Sequence, residues 1–211
     1  MSKSQAVLIR PGCTDFDQQN RIQGTLDIPL NQQGLVQVSR LAEDLRDIPL
    51  KRIYSAPSEP ARETAESLSA DLGVPVKELD SLANLNQGLW QGMVIDDIRR
   101  KHPKVFKQWQ ESPETICPPE GEEFTDAMVR VGKAIDKILK RDVNFAIIAP
   151  EPLASMIRWH VCGGKLNTAE PCSSCRDDCH WEILETNGKS NAAVDSVLGT
   201  PAKPERAKTS D

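Results

Sequence analysis

Few side chains in this sequence can do chemistry, and they are unevenly spread. Three cysteines stand together as Cys172-x2-Cys175-x3-Cys179, followed at once by His180. Four soft ligands this close could take a zinc ion. Zinc ribbons separate their ligand pairs by a longer loop, however, and the adjacent Cys179 and His180 cannot easily both reach one ion. Thiols or a disulfide are the plainer reading, and no metal or cofactor is expected. Cys13, Cys117 and Cys162 are scattered and read as plain thiols. The other two histidines offer little. His102 precedes Pro103 and reads as a solvated cap between helices, while His160 lies inside a helix and reads as packed. Near the N-terminus, Arg10-Pro11-Gly12 ends an apolar run. Arg10 could hold an anion such as phosphate, or pair with Asp17 or another acid.

These residues need elements to hold them. Gln5 to Ile9 reads as a buried strand stopped by the Arg10-Pro11-Gly12 turn. Gln32 to Ile48 places Leu35, Val38, Leu41, Ala42 and Leu45 on one helical face. Arg52-Ile53-Tyr54 is a short strand. Ser58 to Leu72 reads as a helix with Ser58 as N-cap, Pro60 in the first turn and Gly73 as the stop. Val94 to His102 and Lys104 to Ser112 read as helices split by Pro103. Glu122 to Arg141 carries a stripe of Phe124, Met128, Val131, Ile135 and Ile138. Phe145 to Ala149 is a second buried strand, followed by a helix from near Pro150 to about Cys162. Trp181 to Leu184 suits an edge strand. Alternating strands and amphipathic helices predict an α/β three-layer sandwich, with a mostly parallel central sheet flanked by helices. In such sheets ligands bind beyond the carboxyl ends of the strands, so Arg10-Pro11-Gly12 and Pro150-Glu151-Pro152 are the expected pocket walls.

The chain has 211 residues, which suits one domain, expected over 1–186. From 187 to 211 the composition turns to Ser, Ala, Pro, Lys and Asp, and a disordered tail is expected there. The net charge of −5 argues against nucleic acid or an anionic membrane as partner. No apolar run approaches the roughly 20 residues of a membrane-spanning helix. The expected compartment is the cytoplasm.

Read in order, several segments resemble the histidine phosphatase superfamily, the phosphoglycerate mutase-like fold. Arg10-Pro11-Gly12-Cys13-Thr14 resembles its Arg-His-Gly-x-Thr, and Arg21-Ile22-Gln23-Gly24 and Asp27-Ile28-Pro29-Leu30 follow at the family's spacing. Tyr54-Ser55-Ala56-Pro57 and Ala61 to Glu66 resemble its Ser-Pro-x-x-Arg-Ala-x-Gln-Thr-Ala. Gly88-Leu89-Trp90-Gln91-Gly92 and Pro118-Pro119-Glu120-Gly121-Glu122 resemble its Gly-x-Trp-Glu-Gly and Pro-Pro-Gly-Gly-Glu. The match covers about residues 6 to 160.

The resemblance implies phosphoryl transfer through a phosphohistidine, and the residues disagree. That chemistry needs a nucleophilic histidine, a second histidine, two arginines and a proton donor. The nucleophile's slot is Pro11, the second histidine's is Pro150, the second arginine's is Pro60 and the proton donor's is Asn84. Proline has neither a side-chain lone pair nor an N–H. Arg62 lies about 200° round the helix from Pro60 and should not fill the same space. Cys13 to Arg21 is too long for the Cys-x5-Arg loop of a thiol phosphatase. Arg10 remains as a phosphate ligand, helped by Arg21.

The sequence therefore reads as a pseudophosphatase that acts, if at all, by binding a phosphorylated small molecule or a protein partner. The alternative is a residual or altered phosphomonoester hydrolase that binds phosphate at Arg10 and uses Glu151 or Asp17 as a base.

Overall fold

A computed structural model describes residues 5–141, 144–163 and 179–184. The tail expected at 187–211 lies outside these residues, as do Cys172 and Cys175. Five strands, β1 (Ala6–Ile9), β2 (Arg52–Ser55), β3 (Val76–Glu78), β4 (Phe145–Ile148) and β5 (Trp181–Leu184), form one sheet in the order β3-β2-β4-β1-β5. The pairs β2–β3, β2–β4 and β1–β4 are parallel. β5 runs antiparallel beside β1, with Trp181 opposite Ile9. Every residue of β1 and β4 is buried. Their unbroken apolar runs follow from being covered on both faces.

Seven helices flank the sheet among the described residues: α1 (Asp15–Gln18), α2 (Gln32–Asp44), α3 (Glu59–Leu72), α4 (Ile95–Lys101), α5 (Pro103–Glu111), α6 (Phe124–Arg141) and α7 (Leu153–Cys162). α2 packs on α3 and α6 on α7, giving the expected three-layer α/β sandwich. The stripe of α6 is buried, and Gly73 ends α3 in the left-handed conformation at φ 66°. His102 ends α4, begins α5 and is exposed, as a solvated cap should be. His160 is 8% exposed, with Nε2 2.9 Å from Asp136 Oδ1 across the α6–α7 contact. Trp90 packs in a second, smaller core of Ile22, Ile98, Phe106 and Trp109, its ring centroid 5.4 Å from that of Trp109. Among the described residues no helix is long and apolar enough to cross a membrane.

Some helix ends differ from expectation. α2 stops at Asp44, before Ile48. α7 begins at Leu153 rather than near Pro150, because Pro152 disfavours helical backbone at Glu151. α6 begins at Phe124 rather than Glu122, whose N–H donates to Asn86 O at 2.9 Å. Ser58 occupies the N-cap position of α3, but its hydroxyl forms no cap bond. Asp27 Oδ1 accepts the Glu59 N–H instead, at 3.0 Å.

Two glycines set how closely α2 approaches the turn after β1. A Cβ on Gly12 would stand 2.7 Å from Gly34 O, and a Cβ on Gly34 would strike the Cys13 carbonyl oxygen and lie 2.9 Å from Cys13 N. Both obstacles are backbone and cannot rotate away. Gly34→Ala is therefore expected to cost about 2–3 kcal/mol, read as a lower urea midpoint at unchanged slope.

Candidate functional site

The carboxyl ends of β1 and β4 meet where the sequence places its pocket walls. Pro11 and Pro150 follow these strands, Pro60 opens α3, and Asn84 comes from the loop before Gly88. All four are buried. The structure thus buries all four positions that the resemblance assigns to catalysis.

Each slot is tied to its neighbours. Thr64 Oγ1 accepts the Gly12 N–H at 3.1 Å and donates to Pro60 O at 2.7 Å, joining the turn at Pro11 to the first turn of α3. The Cys13 N–H donates to Gln37 Oε1 at 2.8 Å, which fixes the same turn to α2. Cys13 is 0% exposed, in keeping with a buried thiol. Asn84 is 3% exposed and uses both ends of its amide. Its Nδ2 donates to Gly24 O and to Glu151 O, each at 2.9 Å, and its Oδ1 accepts the N–H groups of Leu85 at 2.9 Å and Leu153 at 3.3 Å. Asn84 therefore clasps the Gln23-Gly24 loop, the segment after β4 and the start of α7.

Arg10 takes the acid-paired course. Its partner is Glu151, with Nη2 2.6 Å from Oε1, and the two side chains are 20% and 14% exposed. Asp17 is engaged elsewhere: its Oδ2 accepts both the N–H and the hydroxyl of Thr14 at 2.8 Å, a capping box that starts α1. Arg21 joins two loops, with Nη1 donating to Gly92 O at 2.6 Å and Nε to the nearby Gln19 Oε1 at 2.7 Å. Arg62 points to Glu59 at 2.6 Å and Glu78 at 2.9 Å, so it is engaged away from the space beside Pro60, as its position round the helix predicts.

Arg10, Glu151, Ser155, Arg158, His180 and Glu182 line a shallow depression between α7 and β5, with no interior space for a water molecule. His180 is exposed as a residue, but partial burial of its ring and then the nearby Arg10 guanidinium hold its pKa below the ordinary 6.5. The folded pKa is thus below the unfolded one. As pH falls through 6.5, the unfolded chain takes up a proton first and stability declines. His180 is expected to titrate below pH 6.5 by NMR and to move upward in Arg10→Gln. An unchanged midpoint in that variant would show that Arg10 does not act on it.

Of the cysteine–histidine cluster, Cys172 and Cys175 lie outside the described residues. Cys179 is 6% exposed and packs in the main core, whereas the adjacent His180 is exposed. Among the described residues no group of three metal-ligating side chains occurs.

One organising residue has no signal in the sequence motifs. Arg130 of α6 grips Glu122 with two hydrogen bonds of 2.8 Å. The same guanidinium donates to the carbonyls of Ser81 at 3.1 Å, Ala83 at 2.6 Å and Asn84 at 3.1 Å. It therefore holds the loop that carries Asn84. Glu122 belongs to a motif, but nothing in the seven residues between marks Arg130 as its partner.

The sheet order, the arginine after β1 and the strapped loops define a phosphoglycerate mutase-like α/β protein. The family model of the histidine phosphatase superfamily, branch 1, matches residues 6–197, and the chain belongs to that superfamily. It is 28% identical over 142 residues to phosphoserine phosphatase 1 of Hydrogenobacter thermophilus, covering 67% of each chain. It is 29% identical over 137 residues to the bifunctional protein Rv2228c of Mycobacterium tuberculosis, covering 64% of this chain but 37% of that one. The chain thus spans at most about two thirds of these curated relatives. Among solved structures, mycobacterial glucosyl-3-phosphoglycerate phosphatase Rv2419c in complex with VO3 superposes with a TM-score of 0.74 at 23% identity, covering 86% of this chain and 91% of that one. This last likeness concerns the fold.

Proposed function

We propose that the chain is a pseudophosphatase: a phosphatase-fold protein without phosphatase chemistry, which acts in the cytoplasm by binding a protein partner or a phosphorylated small molecule. One observation carries the reading. The positions where the family's chemistry would sit, Pro11, Pro60, Asn84 and Pro150, are buried and offer no nucleophile, no second cation and no acid. Proline cannot attack phosphorus or donate a proton. The amide of Asn84 does not ionise, and all its hydrogen bonds go to backbone. Arg10 is the motif arginine that could meet a phosphate, and its charge already faces Glu151.

Covalent catalysis requires the nucleophile and its charge partners together, and removing the nucleophile removes most of the rate. Hydrolysis of p-nitrophenyl phosphate and of phosphoglycerates is therefore expected to equal that of an Arg10→Ala variant. Turnover more than about tenfold above that control, a difference near 1.4 kcal/mol in barrier, would overturn the proposal and favour a residual hydrolase.

A further inference from the structure

Glu151 is placed as a ligand would be. Its Oε1 lies 2.6 Å from Arg10 Nη2, and its Oε2 accepts the Ser155 N–H at 3.3 Å. Ser155 lies in the first turn of α7, where N–H groups point out of the helix and favour negative charge. A carboxylate held between a guanidinium and a helix-start amide is a bound anion that happens to be covalently attached. The role of an ordinary helix-start acid explains the Ser155 contact but not the one to Arg10.

Three further observations concern how firmly the carboxylate is held. Its Oε1 is buried, yet it accepts no directed hydrogen bond, so the contact with Arg10 is one of charge without alignment. Asn84 Nδ2 fixes the Glu151 carbonyl at 2.9 Å, so the backbone stays in place whether or not the side chain does. Arg158 and His180 line the same depression, with Glu182 as its other carboxylate. Without the charge of Glu151, two arginines would face one acid there.

The geometry points to Glu151 as a built-in anion that occupies and closes a site for a tetrahedral oxyanion, such as inorganic phosphate, formed by Arg10 and the Ser155 amide. The inference rests on the pseudophosphatase reading and, of its two kinds of ligand, favours the protein partner over a phosphorylated small molecule at Arg10. The native chain holds the contacts of an occupied site without taking up phosphate, because entry must displace a carboxylate of like charge. Truncating Glu151 to alanine removes a carboxymethylene group, which opens space close to that of phosphate beside cations that have lost their partner.

Thermal melts in inorganic phosphate, against chloride at matched ionic strength, test this on the full chain. In Glu151→Ala, phosphate at about ten times its Kd is expected to raise the melting temperature by roughly 3–6 °C. The native chain should show no rise at the same concentration, and neither should the Arg10→Ala/Glu151→Ala double variant. If Glu151→Ala does not fold, Glu151→Ser likewise vacates the space and removes the charge, and should respond in the same direction. An equal rise in the native chain, no rise in either folded single variant, or a rise that survives loss of Arg10 would each overturn the inference. Turnover bears on the pseudophosphatase reading alone, so the two can fail separately.

Discussion

Replacing Arg130 by alanine is expected to lower the melting temperature by roughly 6–12 °C, corresponding to about 3 kcal/mol. The side chain is only 26% exposed, and its partner Glu122 24%. Truncation would leave the Glu122 carboxylate without its guanidinium and the carbonyls of Ser81, Ala83 and Asn84 without a donor. Breaking one side of a buried pair costs about 3–5 kcal/mol, and the quarter exposure argues for the lower end. Arg130→Lys should recover less than half of the loss. A lysine ammonium is a point charge and cannot bridge a carboxylate and three carbonyls as a planar fork does. Urea and thermal melts of both variants check this. A loss under about 1 kcal/mol for Arg130→Ala would show the grip to be incidental.

Asn84→Ala is expected to cost about 3 kcal/mol by leaving buried groups of four backbone segments unpaired. Each such orphan costs about 1–3 kcal/mol, though the sum is not additive because water can enter. Asn84→Asp is the sharper variant, since it puts an acid in place of the buried amide. There the new oxygen would face the carbonyls of Gly24 and Glu151, so the folded state favours the protonated acid. The folded pKa is then raised above the unfolded value near 3.9. Stability is fullest below that value and is lost as pH rises through the folded pKa. Relative to the native chain, Asn84→Asp should be destabilised more at pH 7 than at pH 4. A deficit independent of pH would refute the stated cause. Arg130 Nη2 also donates to Asn84 O, so the two substitutions should not add.

Both predictions concern residues whose importance the sequence only partly discloses. The strands were legible because β1 and β4 are buried on both faces, so their apolar runs mark them directly. Motif spacing singles out Pro11, Pro60 and Pro150, and the covalent structure of proline fixes what each can offer wherever it folds. Asn84 could be read as the lack of an acid, but not as a clasp. Its partners, Gly24, Glu151 and Leu153, are distant in the chain and contribute backbone groups that carry no residue-type signal. Ser58 holds the N-cap position read for it, but the side-chain bond to that helix start comes from Asp27, which reaches it from another loop.

The sequence by itself determined which functional groups stand at Pro11, Pro60, Asn84 and Pro150, because a side chain's groups are fixed by its identity wherever it folds. It also determined the α/β fold, through the periodicity of its apolar residues and the ordered motifs from Arg10 to Glu122. Only the tertiary structure decided what Arg10 does. Asp17 and other acids were equal candidates in one dimension. The parallel pairing of β1 with β4 brings Glu151 within 2.6 Å across 141 positions of chain, while Asp17 turns to cap its own helix. Electrostatic energy depends on distance in space, and distance in space is what folding sets.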